Sequence, residues 1–150
     1  MSDAADAEFS SEEVSSQAQG NATALALTAL AYLKERGLDL DEYVAFHGRR
    51  FAPLWEELRG RPVVEVARLA ALNAVSLGAT LISLSGDDRR AEVLVAGWPD
   101  EEFLDLLQLS REDAQRQLDA FGPITEHLGI RYGWRREGDA VRMTFERDGA

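Results

Sequence analysis

Side chains able to do acid–base or nucleophilic chemistry are scarce in this sequence, which has two histidines and no cysteine. The first, His47, stands within EYVAFHGRRFAPLWEEL, residues 42–58. At roughly 100° per residue, Tyr43, Val44, Phe51, Leu54, Trp55 and Leu58 share one broad helical face, with His47 near its centre. An imidazole in that setting has two readings. It is a general base or ligand anchor in the wall of a pocket, or it is a core residue that donates to a backbone carbonyl and accepts from a neighbour. The residues three and four away on either side are Tyr43, Val44, Arg50 and Phe51. No second imidazole therefore shares this face, and a metal site of the His-x-x-x-His kind is not formed.

The other candidate groups carry less. His127 falls off the face defined by Leu118, Phe121 and Leu128, so it is expected at an exposed helix C-terminus, where its charged form favours the macrodipole. The serines in SLSGD and AVSLG do not form a Gly-x-Ser-x-Gly elbow. There is no Gly-x-Gly-x-x-Gly and no phosphate loop. Asp100, Glu101, Glu102 and Asp105 gather where a helix should start, and carboxylates there stabilise the dipole without any need for a cation. No metal and no cofactor is called for. What remains is aromatic: Tyr43, Phe51, Trp55, Trp98, Phe103, Phe121, Tyr132, Trp134 and Phe145 all fall on inward faces or at element ends. Such residues build a core, or they line a cavity for an apolar ligand with a few polar handles. On the second reading Tyr43, His47, Phe51, Trp55, Arg131 and Trp134 are the ligand-contacting set.

The elements that position these residues follow from periodicity and punctuation. The first 20 residues hold five carboxylates and no base, and read as a mobile acidic tail, with Ser10 and Glu13 at the spacing of a capping box. A helix is predicted over 21–36, closing at Gly37. Leu25, Ala29, Tyr32 and Leu33 share one of its faces while Leu27 and Leu30 lie on others, and an almost uniformly apolar helix is either central or covered by a partner chain. A second helix, capped by Asp39 or Asp41, runs towards Leu58 with a kink between Gly48 and Pro53. A third opens at Pro62 and ends at Gly78, with Ala67, Ala70, Ala71 and Ala74 as a small-residue packing face.

Beyond Gly78 the period becomes two. TLISLSGDDRRAEVLVAG reads as a hairpin, with Ile82 and Leu84 facing the same side as Val93 and Val95. A short acidic helix and a longer one, capped by Ser110 and stopped at Gly129, come next, with a kink expected at Gly122 and Pro123. IRYGWRREGDAVRMTF is a second hairpin with Ile130, Tyr132, Trp134, Val141, Met143 and Phe145 on one face and Arg131, Arg135 and Arg142 on the other. The whole reads as a single α+β domain over 21–150, an antiparallel sheet of two hairpins packed on one side by helices.

Composition narrows the classes. With 150 residues, 45% hydrophobic and 29% charged, the chain has the profile of one folded domain. A net charge of −11 repels nucleic acid. No apolar run is long enough to cross a bilayer and the first residues lack the pattern of a signal peptide, so a cytoplasmic location is expected. The absence of cysteine excludes disulfides and thiolate metal sites.

The segments DEYVAFHGRRFAPLW, NAVSLGA and LGIRYGWRREGDAVRMTF, in that order around a hairpin and a helix, are similar to 4-vinyl reductase domains and the related thiazoline-carboxylate hydrolase-like domains. In those a closing hairpin of the form Gly-Asp, five further residues and then Phe comes after a helix, as Gly138 to Phe145 does here. The resemblance covers about residues 22–147 and implies a small-molecule-binding module, often dimeric. Many members carry cysteines near the end of the domain, and their absence here removes metal binding and thiol chemistry from what the resemblance implies. Three functions stay open. One is a ligand-binding or sensory domain, homodimeric through residues 22–36, for a small apolar or carboxylate-bearing ligand. Another is a small hydrolase with His47 as general base and Arg50 or Arg131 holding an anionic substrate. The last is an interaction module whose first helix is the working surface.

Overall fold

The structure, a computed structural model, describes residues 8–149. Among these residues six α-helices and two 3-10 segments pack on one face of a four-stranded antiparallel sheet, an α+β fold. Helix α1 spans Ser11–Glu35, and Ser10 and Glu13 close a reciprocal capping box at its start. It thus begins ten residues before the boundary expected at residue 21, because the cap satisfies the first free amides of the segment. Residues 1–7 of the acidic tail lie outside the described residues.

The buried stripe of α1 is Thr23, Leu27, Leu30 and Ala31, while Leu25 and Tyr32 are exposed. That reverses the face grouping expected from sequence: alanine and leucine on nearly every side gave the helix no clear moment, and the contacts chose the Leu27–Leu30 side. No helix among the described residues is long and apolar enough to cross a membrane.

After Gly37, in the left-handed conformation at φ +68°, α2 runs from Leu40 to Phe51 under an Asp39 cap. It gives way to a 3-10 helix, Ala52–Leu58, with Pro53 in its first turn. The expected kink is therefore a change of pitch, which fits proline where a free N–H is not required. Gly48 has a different purpose from the one read in sequence. A Cβ placed there would lie 2.4 Å from the carbonyl oxygen of Ala120 and 3.0 Å from Cγ of Pro123, so α2 touches the next layer backbone to backbone.

Helix α3, Val63–Ser76, buries Ala67, Ala70, Ala71 and Ala74 against the sheet. Its first two amides donate to the carbonyls of Asp88 and Asp87 in the first hairpin turn. Strands β1 (Thr80–Gly86), β2 (Arg90–Ala96), β3 (Ile130–Glu137) and β4 (Ala140–Arg147) run in the order β1-β2-β4-β3. Between the hairpins lie α4 (Glu101–Leu107), α5 (Arg111–Gln115), a 3-10 helix (Arg116–Ala120) and α6 (Phe121–His127). The long helix expected there is broken at Arg116 and Phe121, and Pro123 falls in the first turn of α6.

The inward face of the sheet carries Ala91, Val93, Val95, Val141, Met143, Phe145 and Ile130, all buried. On β1 the pairing slips between Leu81 and Ser83, so Leu81 and Leu84 oppose Val95 and Val93 while Ile82 is 55% exposed. Ile82 therefore does not join the inward face as its spacing predicts: the bulge at this edge strand turns it out. On the outer face Arg90 and Arg131 both reach Glu146 at 3.0 and 3.2 Å. Arg142 bridges Glu92 and Glu137 at 3.0 and 2.8 Å, and Arg135 shares Glu137.

Candidate functional site

Three successive turns of α2 and the following 3-10 helix point His47, Phe51 and Trp55 to the same side, and that side walls a cavity of about 390 Å³. The opposite wall comes from Asn73, Ala74 and Ser76 of α3 and from Leu77 just after it. The floor is Val95 and Val141 of the sheet with Trp98 just beyond β2, and the remaining side holds Gln117, Leu118, Phe121 and Ile124. Leu54, 75% exposed, and Phe51, 46% exposed, mark the rim. The volume lies within the range of small-molecule pockets, and the lining is mainly apolar with a few polar groups, as such sites usually are.

The His47 ring lies 4.8 Å from that of Phe51, centroid to centroid. Burial lowers its pKa, and among the described residues no ion pair or side-chain hydrogen bond involves the imidazole. Neither arm of the sequence reading is met in full: the ring walls a cavity rather than the close-packed core, and no carboxylate orients it for catalysis. Asn73, which also lines the cavity, donates its amide to the carbonyl of Leu69 at 2.9 Å. Trp98 is 8% exposed and its indole N–H is buried without a hydrogen-bonding partner among the described residues. An unmet donor costs about 1–3 kcal/mol, which the burial of so large a ring offsets. An aromatic chain leads from the cavity to the sheet through Trp55, Phe121, Tyr132 and Phe145, with centroids 5.9, 5.9 and 5.2 Å apart. Tyr132 donates to the carbonyl of Leu118 at 2.9 Å, and burial raises its phenol pKa well above the usual value.

The other residues of the sequence-predicted set stand elsewhere. Tyr43 is half-buried one turn before His47 and packs on the core without lining the cavity. Arg131 is on the outer sheet face, paired with Glu146, because odd positions of β3 face away from the helices. Trp134 faces inward but at the far edge of the sheet, where its indole N–H donates to Asp119 at 2.7 Å. Arg50 lies over the Phe46 ring, 5.1 Å from its centroid, and does not line the cavity. His127 is not free at its helix end: its Nε2 meets Glu56 at 2.5 Å, and Arg59 donates to its carbonyl at 2.7 Å. Hydrogen bonds, from Arg59 first and His127 after, hold the Glu56 carboxyl down at about 2.

Sequence reasoning missed Asn73, Trp98, Gln117 and Phe121 as neighbours of His47. Trp98 and Phe121 were legible as aromatics at element ends, but nothing local says that four separate segments converge. Among the described residues no group of three or more His, Asp or Glu side chains stands close enough to hold a metal ion. Asp100 instead caps α4, accepting from the Glu102 amide at 2.8 Å.

Fold and site together define an α+β domain with one aromatic-walled cavity between its helical layer and its sheet. No family model matches the chain, and no curated protein matches it.

Proposed function

We propose that the chain is a small-molecule-binding domain, sensory in character, that takes its ligand into the cavity walled by His47, Phe51, Trp55, Trp98 and Phe121. The observation that carries this reading is the cavity itself, about 390 Å³ of mainly apolar space in a domain of 150 residues. Protein interiors close down to native density, so a space of that size persists where something is meant to fill it. Kinship with 4-vinyl reductase-like ligand-binding domains belongs to the same proposal, resting on the segments around His47 and the closing hairpin. So does a homodimer through residues 22–36, for which the exposed Leu25 and Tyr32 on α1 supply an apolar face.

The test is a titration with the apolar fluorophore N-phenyl-1-naphthylamine. Saturable binding that quenches tryptophan emission, and that disappears in Ser76→Phe at the cavity wall, is the expected result. Unsaturable partitioning, or binding that Ser76→Phe leaves intact, counts against the cavity as the site.

A hydrolase using His47 as general base is the second reading, and the free imidazole in the cavity wall is the observation in its favour. Among the described residues no carboxylate holds its tautomer, as one normally does for an efficient base. Ester turnover that His47→Ala abolishes without loss of folding would put it first.

A further inference from the structure

We infer that the cavity selects an uncharged, largely apolar ligand bearing one small polar group, and that it excludes carboxylates and other anions; this rests on the ligand-binding reading above. Among the described residues no Asp, Glu, Lys or Arg lines the cavity. Its polar lining is His47, Asn73, Ser76, Gln117 and the indole of Trp98, groups that exchange hydrogen bonds but bring no fixed charge. Burial of an anion without a cation to receive it is far more costly than burial of a hydroxyl, amide or ketone that finds a hydrogen bond.

The cations nearest in the chain are already committed. Arg116, beside Gln117, is held by Asp41 at 2.5 Å and Asp113 at 3.3 Å. Arg136 donates to Gln115. Arg49 pairs with Glu42 at 3.3 Å, and Arg50 covers Phe46 on the exposed side of α2. The histidine is no substitute, because desolvation favours its neutral form. The net charge of −11 adds a long-range field that turns anions away before they reach the rim.

Two probes with the same aromatic frame separate the possibilities: uncharged N-phenyl-1-naphthylamine and its sulfonate, 1-anilinonaphthalene-8-sulfonate, titrated on the full chain at about pH 8, where His47 is neutral. The neutral probe is expected to bind at least about a hundredfold more tightly. Leu54→Lys, a change at an exposed rim residue, is expected to narrow that gap by about tenfold. Equal binding of both probes, with Ser76→Phe abolishing both, overturns the exclusion of anions while leaving the cavity a ligand site. A gap unmoved by Leu54→Lys overturns the electrostatic explanation. If neither probe binds saturably, the ligand-binding reading falls and takes this inference with it.

Discussion

Gly48 and Ala120 meet with no side chain between them: a Cβ on the glycine would lie 2.4 Å from the alanine carbonyl oxygen. The contact fixes how deeply α2 sits against the 3-10 helix Arg116–Ala120, and therefore where His47, the next residue back along the chain, enters the cavity wall. Helix propensity and packing pull in opposite directions at this position. Alanine in a helix interior is favoured over glycine by about 1 kcal/mol, whereas forcing a methyl into a close-packed contact costs about 1–3 kcal/mol.

Gly48→Ala is accordingly expected to lower stability, with packing outweighing propensity, by about 1–2 kcal/mol in urea denaturation. An unchanged or higher midpoint would mean that the layers separate easily and that the close approach is not a constraint.

A second expectation concerns pH. The folded-state pKa of His47 is lowered from 6.5 by desolvation, so between 6.5 and that lower value the unfolded chain binds more protons than the folded one. Stability from this group therefore rises with pH across that window and falls as the solution is acidified below about 6.5. Filling the cavity with an apolar ligand desolvates the ring further, so affinity should fall in the same direction. His47→Gln should flatten both profiles near pH 6, as read by thermal melts and probe titrations; parallel profiles for the variant and the parent would place the acid sensitivity elsewhere.

The start of α1 offers a local test. Residues 11–18 are exposed, and the first long-range anchors of the helix are Gln19 donating to Val75 and Thr23 donating to Leu77. Replacing the Ser10 cap by alanine costs a capping interaction of about 1 kcal/mol. Because the first turns are exposed and pack on no other element among the described residues, the loss should appear as fraying, with less helical ellipticity and an unchanged melting temperature. A drop in melting temperature would instead show that these turns are covered in solution, as a dimer through α1 would require.

The clip between Glu56 and His127 should affect exchange more than stability. Both partners are accessible to water, and exposed pairs contribute little to folding. Yet the clip ties the 3-10 helix beside the cavity to the end of α6. Glu56→Gln is expected to speed both entry and release of the neutral probe in stopped flow several-fold, with little change in dissociation constant. A change in affinity with unaltered rates would assign the clip a role in shaping the bound state.

How far the sequence disclosed this arrangement depends on whether the deciding contacts are local. Strand β4 was legible because one of its faces is buried, so Val141, Met143 and Phe145 alternate with polar neighbours along the chain. Strand β1 was not: it is an edge, and the bulge beside Ile82 is set by its pairing with β2 rather than by any residue of its own. His47, Phe51 and Trp55 could be grouped because four-residue steps keep them on one side of a helix. Arg131 and Trp134 were drawn into the same set on chemical type alone, and strand order places both at the far edge, away from the cavity. Gly48 read as a weak point in a helix, since a glycine that makes room for a neighbour looks the same in sequence as one that merely bends.

Helix α3 is tied at both ends, by its first amides to the carbonyls of Asp88 and Asp87 and by Val75 and Leu77 to side chains of α1. The facing wall is a 3-10 segment, with weaker internal bonding, and its side-chain fastenings to α6, Glu56 on the His127 ring and Arg59 on the His127 carbonyl, are both exposed. One side of the cavity is thus framed by bonds to its backbone at both ends, and the other is fastened by side chains open to water.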